Sequence, residues 1–208
     1  MVGTQHFALF VVSGLLLNLT PGQDTLYIVG RSVSQGRRAG VFSVLGIVSG
    51  CVIHTFAAAF GLSALLATSA HAFTVVKTAG GVYLGYLGIR MLFERAEPVG
   101  AAAEFAHESD RAIFRSGLLT NVLNPKVALF FMAFLPQFVA PDAESRVVTF
   151  LFLGAVFIFN GTLWCFLLVW CASAMSSRLR RQPTSGVILK RATGALFVGL
   201  GLKLAVSK

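Results

Sequence analysis

Residues 39–76 read AGVFSVLGIVSGCVIHTFAAAFGLSALLATSAHAFTVV, and none of them is Asp, Glu, Lys or Arg. A helix of about 20 apolar residues crosses the roughly 30 Å hydrocarbon core of a bilayer. This run is too long for one crossing, so we divide it at Thr68-Ser69-Ala70-His71, its most polar short patch. Working outward, further charge-free runs occupy 1–23, 127–141 and 147–177. The chain has 208 residues, 56% hydrophobic and only 12% charged. That charged share is about half of what a soluble domain carries to cover its surface. A soluble enzyme, a disordered chain and a disulfide scaffold are all excluded on this composition.

The pattern predicts an all-α integral membrane protein of six spans, near 5–28, 39–66, 72–91, 114–138, 147–174 and 187–206. Lys77, Lys190, Arg191 and Lys203 fall near span ends, where long side chains snorkel to the headgroups. The net charge of +9 would suit nucleic acid if the cations shared one surface. They do not. Arg31, Arg37 and Arg38 lie in the first connection, and Arg90, Arg95, Arg111 and Arg115 in the third. Arg178, Arg180, Arg181, Lys190 and Arg191 lie in or beside the fifth. The even connections hold Arg146 alone. Basic loops stay in the cytoplasm, which places both termini outside. This distribution argues against a nucleic-acid partner.

The chain start has no Lys or Arg and no Ala-x-Ala site, so the first span reads as retained rather than as a cleaved signal. Cys51, Cys165 and Cys171 all fall within spans and read as packing residues. No cluster has metal-ligand spacing and no Gly-rich phosphate loop occurs, so neither metal nor cofactor is expected. Residues 93–113 hold five of the eight acids and read as a cytoplasmic linker. They divide the chain into a first repeat, 1–92, and a second, 114–208.

Two echoes relate these halves. Asn18-Leu19-Thr20-Pro21-Gly22-Gln23-Asp24 lies in the first span of one half, and Asn121-Val122-Leu123-Asn124-Pro125-Lys126 in the first span of the other. In the third spans, Lys77-Thr78-Ala79-Gly80-Gly81-Val82-Tyr83-Leu84-Gly85 aligns with Arg191-Ala192-Thr193-Gly194-Ala195-Leu196-Phe197-Val198-Gly199. Halves of three spans enter the membrane from opposite sides. That is the inverted repeat of many secondary transporters, whose binding site lies at the repeat interface.

The two Pro motifs are the candidate substrate and proton pathway. A Pro within a helix removes a hydrogen bond, and in lipid the freed backbone groups must find partners in protein or water. Asn18, Thr20, Pro21 and Gly22 in one motif and Asn121, Asn124 and Pro125 in the other favour short unwound segments with exposed dipoles. Asp24 stands about 10 Å deep, counted from Arg31, and Lys126 about 16 Å deep, counted from Arg115. Intramembrane charges are costly, tend to pair and usually serve function. Asp24 and Lys126 are therefore expected to face one cavity, as an ion pair or as separate contacts to a zwitterion. Weaker candidates are His54, a proton relay or a plain hydrogen-bonding histidine, and Gln137 and Asn160 along the path. Gly46 and Gly50 read as a close-packing pair, and small-residue faces permit a homodimer.

These motifs resemble the LysE/RhtB family of amino-acid exporters. The resemblance rests on Asn18…Thr20-Pro21-Gly22, Gly36-x3-Gly40, Gly46-x3-Gly50 and Lys77-x2-Gly80-Gly81-x-Tyr83-Leu84-x-Tyr86-Leu87-Gly88. It also takes in Asn121-x2-Asn124-Pro125-Lys126 and Leu135-Pro136-Gln137-Phe138, and so runs across nearly the whole chain. It implies a bacterial inner-membrane carrier that exports amino acids such as threonine, homoserine, leucine or lysine, driven by protons. One departure is Gln23, where members commonly carry a second Pro. A membrane enzyme would need a nucleophile–base or metal constellation, and none is visible. A channel would not need two charged Pro breaks. A metal-ion cargo would need more than one deep acid.

Overall fold

Pro21 and Pro125 each interrupt a helix, and the two interruptions organise the molecule. The computed structural model describes residues 3–68 and 106–174, with isolated positions between 75 and 93 and Val198. The expected spans 72–91 and 187–206, most of the linker 93–113 and the basic residues Arg178 to Arg191 lie outside the described residues. Helix α1 (Phe7–Leu19) stops where Thr20 turns extended, and the Thr20 hydroxyl donates back to the Leu16 carbonyl at 2.7 Å. Helix α2 (Gln23–Phe56) begins beyond Pro21-Gly22 and continues through a π-helical turn, Ala57–Leu62, into α3 (Ser63–Thr68). Helix α4 (Asp110–Val122) starts on Ser109, whose hydroxyl accepts from the Ala112 amide at 3.3 Å. Helix α5 (Pro125–Leu129) carries its Pro in the first turn, where the missing N–H has no helical partner to lose. A π-helical turn (Phe130–Phe134) and a 3-10 turn (Leu135–Phe138) follow, and α6 (Arg146–Ala174) completes the described part. Among the described residues there is no strand, only an isolated bridge between Thr4 and Val139.

Helix α2 is a hairpin rather than a rod. Gly36 has φ 83°, a left-handed value that favours glycine, and the chain reverses there. A side chain on Gly40 would collide with the Ser32 hydroxyl. In a straight helix residues eight apart lie about 12 Å from each other. The arm 23–35 thus packs back along the second arm, and the helix runs farther than the expected boundary at 28. Arg31 is correspondingly no loop anchor. Its side chain is 3% exposed and pairs with Glu108 at 2.8 Å, while Nη1 donates to the Ala106 carbonyl at 3.0 Å and to Gln35 Oε1 at 2.7 Å. The described end of the linker is therefore docked on the hairpin, and Arg38–Asp110 forms a second ion pair beside it.

The same order of elements occurs twice: a helix, a break at Pro, a second helix, a turn and a long helix. α4 and the segment Pro125–Phe138 meet at a 47° bend and together match the expected span 114–138. α6 matches the span at 147–174. By length and composition, Gln23–Leu65 and Arg146–Ser173 are apolar enough to cross a membrane, and the bent pair makes a third candidate.

The two Pro-broken helix pairs lie antiparallel. Gln5 meets Phe138, Leu17 meets Lys126, Asp24 meets Asn121, and Arg31 meets Glu108. Each pairing moves up one chain and down the other, so the breaks face each other midway. On one side of them a phenylalanine cluster fills the core. Phe130 lies 4.7 Å from Phe157 and 4.9 Å from Phe134, centroid to centroid, and Phe10, Phe131 and Phe150 are also buried there. On the other side a smaller cluster of Tyr27, Ile28, Val44, Ile47 and Ile113 lies beneath the Arg31–Glu108 pair.

Candidate functional site

A cavity of about 50 Å³ opens where the breaks face each other. Each break contributes because its Pro frees backbone groups there. Asn18, Thr20, Gly22 and Asp24 line the cavity from the first motif, and Asn124 and Lys126 from the second. Pro21 sits in the first break and Pro125 opens α5. Gln23 is the first residue of α2 and its side chain is exposed, outside the cavity. A second Pro would fit that first helical position, so the departure at Gln23 leaves the lining intact.

Asp24 and Lys126 face the same space without touching. Lys126 Nζ donates to two carbonyls that Pro21 leaves outside the helical ladder, Leu17 at 2.8 Å and Thr20 at 3.0 Å. Its backbone amide is held by the Asn124 side chain at 3.0 Å. Asp24 Oδ2 accepts from the fully buried Asn121 side chain at 2.8 Å, and its Oδ1 is buried without a hydrogen bond. The expected ion pair between Asp24 and Lys126 does not form. The ion pairs among the described residues are Arg31–Glu108 and Arg38–Asp110.

The glycines read as close-packing residues perform that role. A side chain on Gly46 would strike the Phe114 carbonyl, and one on Gly50 would meet Asn121 Oδ1 at 2.5 Å. Gly50 thereby admits the amide that holds Asp24. His54 does not reach the cavity. Its Nε2 lies 3.2 Å from the Asn121 carbonyl and its ring stacks on Phe131 at 5.7 Å. Gln137 is placed away from the cavity, donating to the Ala133 carbonyl at 3.2 Å, while its own carbonyl accepts from Gln5 at 2.8 Å. Asn160 is half-buried beside the lining residue Gly161 and does not line the cavity itself.

Sequence reasoning missed the wall supplied by α6. Phe157, Gly161, Thr162, Trp164 and Cys165 line the cavity, as does Cys51 of the second arm. The one signal was the polar interruption Asn160-Gly161-Thr162 in an otherwise apolar span, and it points to the neighbours of Asn160 rather than to Asn160. Chemically the site offers one acid, one cation, orphaned amide and indole N–H groups and an apolar wall. No group of three metal-ligating side chains occurs among the described residues.

Residues 15–208 match the family model described as LysE type translocator. An uncharacterised membrane protein of Vibrio cholerae is 30% identical over 205 residues, 96% of this chain and 96% of its own length. One from Pseudomonas aeruginosa is 29% identical over 210 residues, 99% of this chain and 97% of its own. A leucine efflux protein of Salmonella choleraesuis is 27% identical over 203 residues, 98% of this chain and 96% of its own. No solved structure matches the chain.

Proposed function

The chain belongs to the LysE-type translocator family of multi-pass membrane transporters, and from that premise we propose that it exports a neutral or basic amino acid, or a close derivative, by alternating access coupled to proton entry. The observation that carries this reading is the placement of Asp24 and Lys126 at two facing helix breaks, on one cavity, unpaired with each other. A zwitterion needs a negative group and a positive group at a fixed short separation. Asp24 Oδ1 suits an ammonium, while Lys126 and the N-terminus of α2 suit a carboxylate. The leucine efflux relatives support an amino-acid cargo.

Asp24 also gives the coupling a chemical basis. A carboxylate that holds the substrate ammonium cannot hold a proton at the same oxygen. Substrate release to the outside leaves Asp24 free to take a proton from there and to discharge it inside. The antiparallel Pro-broken helix pairs support two inverted three-span repeats, since such repeats rock about a site at their interface.

Amino-acid-loaded membrane vesicles test the reading. Saturable efflux that responds to a pH gradient is expected, and linear, unsaturated flux would show a pore instead. Asp24→Asn and Lys126→Ala should each abolish efflux while the protein still inserts into the membrane; normal efflux by both removes the assignment. Resistance of overexpressing cells to toxic amino acids or their analogues would name the cargo. We infer from the remaining loop cations, Arg31 set aside, that both termini lie outside. A phosphatase active only outside the cytoplasm, fused after Lys208, should then be active, and an inactive fusion reverses the orientation.

A further inference from the structure

Two buried N–H donors on the cavity have no hydrogen-bond partner: Asn18 Nδ2 on α1 and Trp164 Nε1 on α6. A buried donor left unpaired is destabilising, and the N–H of a buried Trp usually finds an acceptor. Two such orphans in one wall indicate an acceptor that comes and goes. Their neighbourhood specifies its charge. Trp164 stands one helical turn after Gly161, on the same face of α6. Gly161 is where α1 comes close, since a Cβ there would lie 3.2 Å from Asn18 Oδ1 and 3.3 Å from Asn18 Nδ2. Lys126 Nζ lies against the same stretch of α1, on the Leu17 and Thr20 carbonyls, with one of its three donors uncommitted.

We propose that Trp164 Nε1 and Asn18 Nδ2, beside the Lys126 ammonium, form the carboxylate subsite of the exported amino acid and determine its selection for a free α-carboxylate. The proposal rests on the amino-acid reading above and deepens it. Three donors from three helices line one cavity, and a carboxylate there would answer them with two oxygens and about four lone-pair positions. An amide or ester in place of the carboxylate lacks the charge and half of the acceptors. Trp164 contributes through its N–H and not through its ring alone.

The experiment compares export of leucine, threonine and lysine with export of each α-amide from loaded vesicles. Wild-type protein should export its amino acid and reject the amide. Trp164→Phe keeps the ring and removes the donor. It should raise KM for the acid about tenfold, the usual effect of losing one hydrogen bond to a charged group, and narrow the preference over the amide. Asn18→Ala should act in the same direction. Unchanged KM in Trp164→Phe, an equal rise for acid and amide, or a wild-type protein indifferent to the amide would each overturn the subsite. If the wild type exports no amino acid at all, it is the parent reading that fails. A binding measurement covers poor folding of the Phe variant. The chain has two Trp, and Trp170 is 63% exposed. In Trp170→Phe, the emission of Trp164 should shift saturably with the exported acid and not with its amide. No response at concentrations that saturate transport overturns the proposal.

Discussion

A single glycine sets the distance between Asp24 and the amide that holds it. Asn121 donates to Asp24 Oδ2 at 2.8 Å, and the space for Asn121 exists because Gly50 has no side chain. Gly50→Ala should force the second arm of α2 away from α4 and cost about 1–3 kcal/mol, the usual effect of overpacking a tight contact. Thermal unfolding in detergent measures this, with efflux expected to fall in parallel. Gly61→Ala is the control, since nothing lies within 4 Å of a Cβ there. The same loss in both variants would point to general glycine sensitivity and remove the role given to Gly50. Asp24 and Lys126 were legible in the sequence because a charge within an apolar run stands out. Trp164 was not, because its cavity-facing N–H gains meaning only when every nearby acceptor is known to be absent.

At the scale of elements, the Pro breaks were legible and the Gly36 reversal was not. Arg31, Arg37 and Arg38 made the region look like a loop that began before Arg31. Helix instead continues to residue 35, because the Arg31 charge is answered by Glu108 and by the Ala106 carbonyl. A sequence pattern counts a cation but not a partner 77 positions away. The reversal itself depends on backbone conformation. Gly36 has φ 83° and nothing within 4 Å of a Cβ, so Gly36→Ala adds no clash. Its whole cost is that of an alanine held at φ 83° and ψ −175°, a region essentially reserved for glycine, about 1–3 kcal/mol. Detergent unfolding should show a lower midpoint for Gly36→Ala with efflux kinetics preserved at low temperature. An unchanged midpoint would mean that the hairpin does not depend on this conformation.

For the whole molecule, the cavity lies between two packed clusters of side chains. Its volume of about 50 Å³ accommodates a few waters, at roughly 10–15 Å³ each, and not an entire amino acid. The Phe130–Phe157 cluster packs on one side of it and the Tyr27–Ile47 cluster under Arg31–Glu108 on the other. The apolar spans at 114–138 and 147–174 were readable from hydropathy. These packed clusters were not, because they are made by side chains distant in sequence, such as Phe10 and Phe138, whose centroids lie 5.3 Å apart. The alternating access proposed above would part each cluster in turn, and Cys165 on the cavity wall would report it. Removing Cys51 and Cys171 as Ala leaves Cys165 as the single thiol of the three. N-ethylmaleimide should label this variant slowly, at a rate set by the opening of the cavity, and a saturating concentration of the exported amino acid should change that rate. Efflux by the variant confirms that the carrier still works. A labelling rate indifferent to substrate, in a variant that still exports, would place the transport path somewhere other than between the two Pro breaks.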